Sequence, residues 1–242
     1  MDAGAFETVR SLWRTATLSQ GGFANPGWIV VAADGHHAAP DGWVGVVDLR
    51  GSVVVAAPTR LVARLRSKLE RTAIEGELTD PETARAIFGP FQQSLGPAVL
   101  LYGRPSRQTS STSTVIGPLA NDDARVVDVI SQGSPEEVDE SALADTTSGV
   151  FVTLDSTGQP VAACGWRPWP HGIAHISVLT AAGHRAHGHG RAAAQACLNA
   201  AVVAQLLPQW RALATNQASI ALATSLGMDA VGRQFSVLID EE

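Results

Sequence analysis

The chain has 242 residues, 45% of them hydrophobic and 17% charged, with a formal net charge of −6. That balance excludes a disordered chain and, lacking a basic face, a general nucleic-acid binder. Its two cysteines, Cys164 and Cys197, lie in apolar runs without metal or redox spacing, which excludes a disulfide framework and fits reduced thiols in a cytoplasmic protein.

The N-terminal segment MDAGAFETVRSLWR lacks the apolar core of a signal peptide. No stretch reaches the ~18 apolar residues of a membrane helix, so no membrane partner is expected. In chain order, 3–17 reads as a helix, and 28–33, 44–48 and 53–57 read as strands. Residues 60–73 place leucines and valine at helical spacing with arginines opposite. Pro81 opens a short helix over 81–88, and a strand follows at 98–102. The polar run GRPSRQTSSTST at 103–114 reads as a linker. The chain is therefore expected to divide into an α/β domain at 1–108 and a second domain at 114–242.

After the linker, 115–119 is expected to be a strand. Asn121, Asp122 and Asp123 can cap a helix running to about 131. Ser134, Pro135, Glu136 and Glu137 open another. Strands are expected at 149–154, 160–166 and 173–180, with a loop at 167–172 carrying Trp169 between two prolines. Next comes a helix over 190–206 with Ala194, Leu198, Val202 and Leu206 on its buried stripe, stopped by Pro208. A strand at 211–215, a helix at 217–226 ended by Gly227 and a last strand at 234–239 complete a β-α-α-β-β-β-α-β-α-β order.

The turn before the long helix reads Arg185, Ala186, His187, Gly188, His189, Gly190, Arg191. A helix N-terminus leaves backbone N–H groups without partners, and an anion satisfies them. Glycines at 188 and 190 would let a phosphate reach the backbone. From Ser156 through Met228 there is no acid, while four arginines and five of the seven histidines lie there; that locally cationic stretch suits an anionic ligand. A Walker loop is excluded because no lysine with serine or threonine follows the last glycine. The dinucleotide fingerprint, matched loosely by Gly188, Gly190 and Ala193, wants an acid ~20 residues on, and the next acid is Asp229. The third pattern is Arg-x-x-Gly-x-Gly at Arg185, Gly188 and Gly190. A second motif has Asn216, Ser219 and Leu226–Gly227–Met228 after the next expected strand.

On these two motifs and the element order, the segment from Thr114 onward resembles the GNAT superfamily of N-acetyltransferases. The resemblance implies an α/β GNAT fold, a mixed and mostly antiparallel central sheet flanked by helices. The smaller domain before it would be an acceptor-shaping extension or a degenerate second GNAT-like domain. It implies acetyl-CoA as cosubstrate, with the backbone of Val178, Leu179 and Thr180 holding the acetyl carbonyl and pantetheine. Arg185, Ala186, His187, Gly188, His189, Gly190 and Arg191 would bind the diphosphate, and Asn216 the pantetheine arm with help from Ser219. For Asn216 a helix cap is the alternative or coexisting role.

The family pattern implies a backbone oxyanion donor near Val178 and a general base. His175 is a candidate base, although strict strand alternation turns it from the cleft unless a bulge intervenes; His171 is the second. The tyrosine that often protonates the thiolate is replaced by Ala223, and the only tyrosine, Tyr102, precedes the linker. His184, His187 and His189 lack companion ligands, so no metal is expected. The expected function is acetyl transfer to a primary amine, on a small molecule or a peptide, and a homodimer stays open. The alternative is a non-catalytic acyl-CoA-binding sensor that kept the cradle and lost the acid and base.

Overall fold

Short polar side chains start the helices. Asp2, Asp80, Asp123 and Ser134 each accept a backbone N–H from the first turn that follows, supplying partners that the helix itself cannot. These caps begin α1 (Ala3–Ala16), α3 (Pro81–Phe88), α4 (Ala124–Ser131) and α5 (Pro135–Ser141). The computed structural model describes residues 1–73, 76–105 and 113–239. Most of the expected linker, 106–112, lies outside the described residues.

Two compact units form. The first gathers residues 1–100, 212–220 and 230–242; the second gathers 101–211 and 221–229. This division is not a single cut near 108–114: the C-terminal strand groups with the N-terminal unit.

In the first unit, β1 (Gly27–Ala32) runs parallel to β3 (Ser52–Ala57). The hairpin partner of β3 is β2 (Val44–Leu49), and β2 also pairs antiparallel with β10 (Asp229–Ile239). Strand β4 (Phe91–Tyr102) lies beside β10. Helix α2 (Thr59–Arg71) lays Leu61, Leu65 and Leu69 on the sheet, where they join Val30, Val46, Val55, Phe88 and Phe235 in one core. Both β4 and β10 start earlier than the expected 98 and 234. Their first residues, such as Gln92, Gln93 and Asp229, are polar and exposed, so apolar patterning carries no signal for them.

In the second unit the order is β5 (Thr114–Leu119), β6 (Val150–Leu154), β7 (Pro160–Trp169), β8 (Ile173–Thr180) and β9 (Leu207–Leu213). All neighbours are antiparallel except β8 and β9. Strand β7 runs through 167–169, which were expected in a loop. Helix α6 (His189–Val203) stops before the expected 206, because Gln205 turns left-handed at φ 61°. Pro208 therefore stands as the second residue of β9 and not as a stop signal. The buried stripe of α6 is Ala194, Cys197, Leu198 and Ala201; Val202 and Leu206 are only half-buried. A small-residue face lets α6 approach β6, β7 and β8, while Val126, Val129, Leu143 and Leu179 form a core that includes residues of α4 and β8. Both cysteines are free and buried. Among the described residues, no helix is long and apolar enough to cross a membrane.

One glycine holds the first unit's strands at their spacing. A Cβ at Gly232 would lie 2.2 Å from the Asp48 carbonyl oxygen. The Gly232→Val variant is expected to lose about 1–3 kcal/mol of stability in a denaturant titration, the usual range for overpacking. An unchanged midpoint would show that β2 and β10 can separate without loss.

Candidate active site

The site grows from one break in a ladder. Strands β8 and β9 pair through Ile173 with Leu207, Ala174 with Pro208 and His175 with Gln209. The pairing stops there, although β8 continues to Thr180, still paired with β7 up to Ala162. Along 176–180 the other edge of β8 therefore has no ladder partner among the described residues. Val178, Leu179 and Thr180 lie on that stretch, whose backbone polar groups are available to a ligand.

The same strand leads into the phosphate-type turn. Ala186 and Gly188 are both left-handed, with φ of 62° and 87°. Gly188 is the N-cap of α6 and no side chain caps that helix. The first intrahelical bond runs from the Ala192 N–H to the Gly188 carbonyl at 3.0 Å, so the N–H groups before it lack intrahelical partners. The two glycines differ in purpose. A Cβ at Gly188 would meet nothing within 4 Å, so that position needs glycine for its backbone conformation and leaves open space in front. A Cβ at Gly190 would lie 2.5 Å from Thr180 Oγ1, so that glycine lets α6 sit against β8. His189 opens the helix, and its buried Nδ1 has no hydrogen-bond partner among the described residues. An uncapped fifteen-residue helix, an open approach at Gly188 and an orphaned ring nitrogen together fit an anionic group such as a diphosphate.

The arginines at the mouth are engaged. Arg185 gives Nε to the Thr180 carbonyl at 3.2 Å and Nη2 to Glu137 Oε1 at 2.5 Å. Glu137 is the reciprocal member of the α5 capping box. The Ser134 N–H first, and then Arg185, hold its carboxyl below the usual range. Arg191 Nη1 donates to Ser225 Oγ at 2.6 Å. Burial, with the charges of His184 and His187, lowers the His189 pKa. Those two rings stand 6.1 and 6.4 Å from that of His189, and no group of three or more metal-type ligands occurs among the described residues.

At the fork itself, His175 stacks on Trp169 with ring centroids 4.4 Å apart and 11° between planes. Its Nδ1 lies 3.0 Å from Gln209 Oε1, and Gln209 Nε2 donates to the hydroxyl of Tyr102. An amide oxygen only accepts, so Nδ1 of His175 carries the hydrogen and Nε2 the lone pair. Burial foremost, with the charges of Arg211 and Arg167, lowers the His175 pKa to about 4 against the opposing Gln209 bond. The β7–β8 register runs unbroken from Trp169–Ile173 to Ala162–Thr180. Alternation therefore puts His175 on the face of Ser177 and Leu179, opposite Thr180 and its contact with α6. His171 is exposed and left-handed at the hairpin tip.

Asn216 and Ser219 belong to the first unit. There the Asn216 side chain accepts the Ser219 N–H at 3.0 Å and so caps α7 (Gln217–Ser225). Ala223, at the family's tyrosine position, is fully buried. Sequence reasoning missed Gln209, Tyr102 and Glu137. A glutamine two residues into an apolar strand was the one available signal for Gln209.

Residues 120–228 match the model of the acetyltransferase (GNAT) family. No curated protein matches the chain in sequence. Among solved structures, an acetyltransferase from the GNAT family of Colwellia psychrerythraea is similar over 76% of this chain and 75% of its own, at 11% identity and TM-score 0.49. A GCN5-related N-acetyltransferase-like protein from Streptococcus suis is similar over 97% of this chain and 99% of its own, at 15% identity and TM-score 0.46. The chain thus carries, over residues 120–228, an acetyltransferase domain of the GNAT family.

Proposed function

We propose that this protein is an acetyl-CoA-dependent N-acetyltransferase that moves an acetyl group to a primary amine by direct attack on the thioester. The observation that carries this reading is the fork after His175 and Gln209, followed on the same strand by the uncapped N-terminus of α6. A free strand edge can hold an amide-rich arm and a polarised carbonyl; a helix N-terminus can hold a diphosphate. The two are joined by the eight residues 181–188, so one ligand with both chemical features can span them.

Each residue then has a defined task. A backbone N–H near Val178 donates to the carbonyl oxygen as negative charge develops there, and Leu179 and Thr180 offer their backbone to the pantetheine amides. The N–H groups of His189, Gly190 and Arg191, with Arg185, face the diphosphate. When bound, the coenzyme supplies an activated acyl group. A second reading, an acyl-CoA-binding sensor without turnover, is favoured by one observation: Ala223 is buried where the family places its thiolate-protonating tyrosine.

Thiol release from acetyl-CoA with a panel of amines, run beside calorimetric titration of coenzyme A, separates these readings. Amine-dependent release is the expected result; binding without release across the panel would favour the sensor, and no binding would sink both.

Gly188→Val is expected to weaken coenzyme A binding at least about tenfold. The valine puts a branched side chain at a left-handed position and in the open approach. Circular dichroism must show the fold retained, and an unchanged Kd would remove the diphosphate from this turn.

Glu137→Gln frees Arg185 from a surface ion pair worth about 0–1 kcal/mol. Coenzyme A should then bind up to about fivefold tighter. Weaker binding would mean that Glu137 orients Arg185 and does not compete with the ligand.

A further inference from the structure

Two cations flank the fork without an acid to match them. Arg167 is the antiparallel partner of His175, so their side chains share a face of the sheet. Gln209 is the parallel partner of His175, and Arg211, two residues on, points to that same face. Both arginines are exposed. Among the described residues, neither joins an ion pair. His175 between them is held by Trp169 on one side and Gln209 on another. Its hydrogen bond to Gln209 runs through Nδ1, which leaves the lone pair on Nε2.

We propose that this face of the fork is the acceptor subsite and that it takes an amine also bearing a carboxylate or comparable anionic group, the anion on Arg167 and Arg211 and the amine nitrogen on Nε2 of His175. The inference rests on the N-acetyltransferase reading and names its substrate class. A bare ammonium would meet two uncompensated positive charges here; an acceptor with its own anion satisfies them. Gln209 and Tyr102 are positioning residues. The Tyr102 hydroxyl engages the Gln209 amide nitrogen, which leaves the amide oxygen to fix the imidazole with hydrogen on Nδ1. A neutral imidazole accepts an N–H from the uncharged amine and leaves the nitrogen lone pair free for attack on the thioester carbonyl. In the transfer the N–C bond forms and the C–S bond breaks; nitrogen loses one proton and sulfur gains one. With a pKa of about 4, and with Arg167, Arg211 and Tyr102 as the other titratable groups around it, His175 orients the amine and does not retain that proton.

The test uses the full chain and matched acceptors: α-amino acids, their amides and the corresponding decarboxylated amines. The expected kcat/KM is at least about tenfold higher for the carboxylates, the order that one charge-assisted contact supplies. Arg167→Gln and Arg211→Gln should each raise KM for the carboxylates by about tenfold, with little change for the amides or in coenzyme A affinity. Nitrogen-15 spectra of histidine-labelled protein should show His175 as the Nδ1–H tautomer. Its Nε2 resonance should move on adding the amino acid, and Gln209→Leu should mix the tautomers and lower kcat. Equal turnover of acids and amides, arginine variants without a KM change, or an Nε2–H tautomer would overturn the inference while leaving the transferase standing. Failure of coenzyme A to bind the wild-type chain would overturn the transferase reading beneath it.

Discussion

The parting of β8 from β9 is the constraint on which the rest of the second unit depends. Two parallel strands that stay paired leave no polar backbone for a ligand; two that separate must satisfy their freed groups in another way. Here the separation follows one polar pair, His175 and Gln209. That pair is itself fixed by Trp169 from the neighbouring strand and by the Tyr102 hydroxyl. The fork is thus held at its apex by stacking and hydrogen bonds, while its open part has no ladder partner among the described residues.

Downstream of the fork, glycine placement decides what the turn can do. Gly190 lets α6 press against Thr180, so the helix start is brought to the strand end. Gly188 is left-handed with nothing before it, so the helix start also stays accessible. A side chain at the first position would hold the helix off the sheet, and one at the second would cover its N-terminus.

Much of this was legible in the sequence for identifiable reasons. Pro81, and Ser134 with Pro135 and Glu137, state a helix start in residue chemistry, and the structure places α3 and α5 there. The Arg185, Gly188, Gly190 pattern could be read because it is local. The misread ends share a different cause. Polar exposed starts hide β4 and β10 from apolar patterning, and Pro208 signals a stop whether it lies after a helix or inside a strand. The β8 strand is covered on both faces, with burial that does not alternate, so the orientation of His175 could not be taken from hydrophobic pattern. Gln209 and Tyr102 are 107 positions apart; only the fold makes them neighbours. The Arg185–Glu137 pair joins residues 48 positions apart and was hidden for the same reason.

The antiparallel pairing of β2 with β10 has an implication for how the molecule is made. Residues 44–49 wait for residues 232–237 to complete their side of the sheet. During synthesis at roughly 5–20 residues per second, the valine-rich β2 edge stays unpaired for on the order of ten seconds or more while the intervening chain emerges. An exposed edge of that composition is a template for pairing with another chain, and contacts so distant in sequence close slowly. The first unit begins to form early and finishes late, and its vulnerability to aggregation belongs to that interval on the ribosome more than to the finished fold.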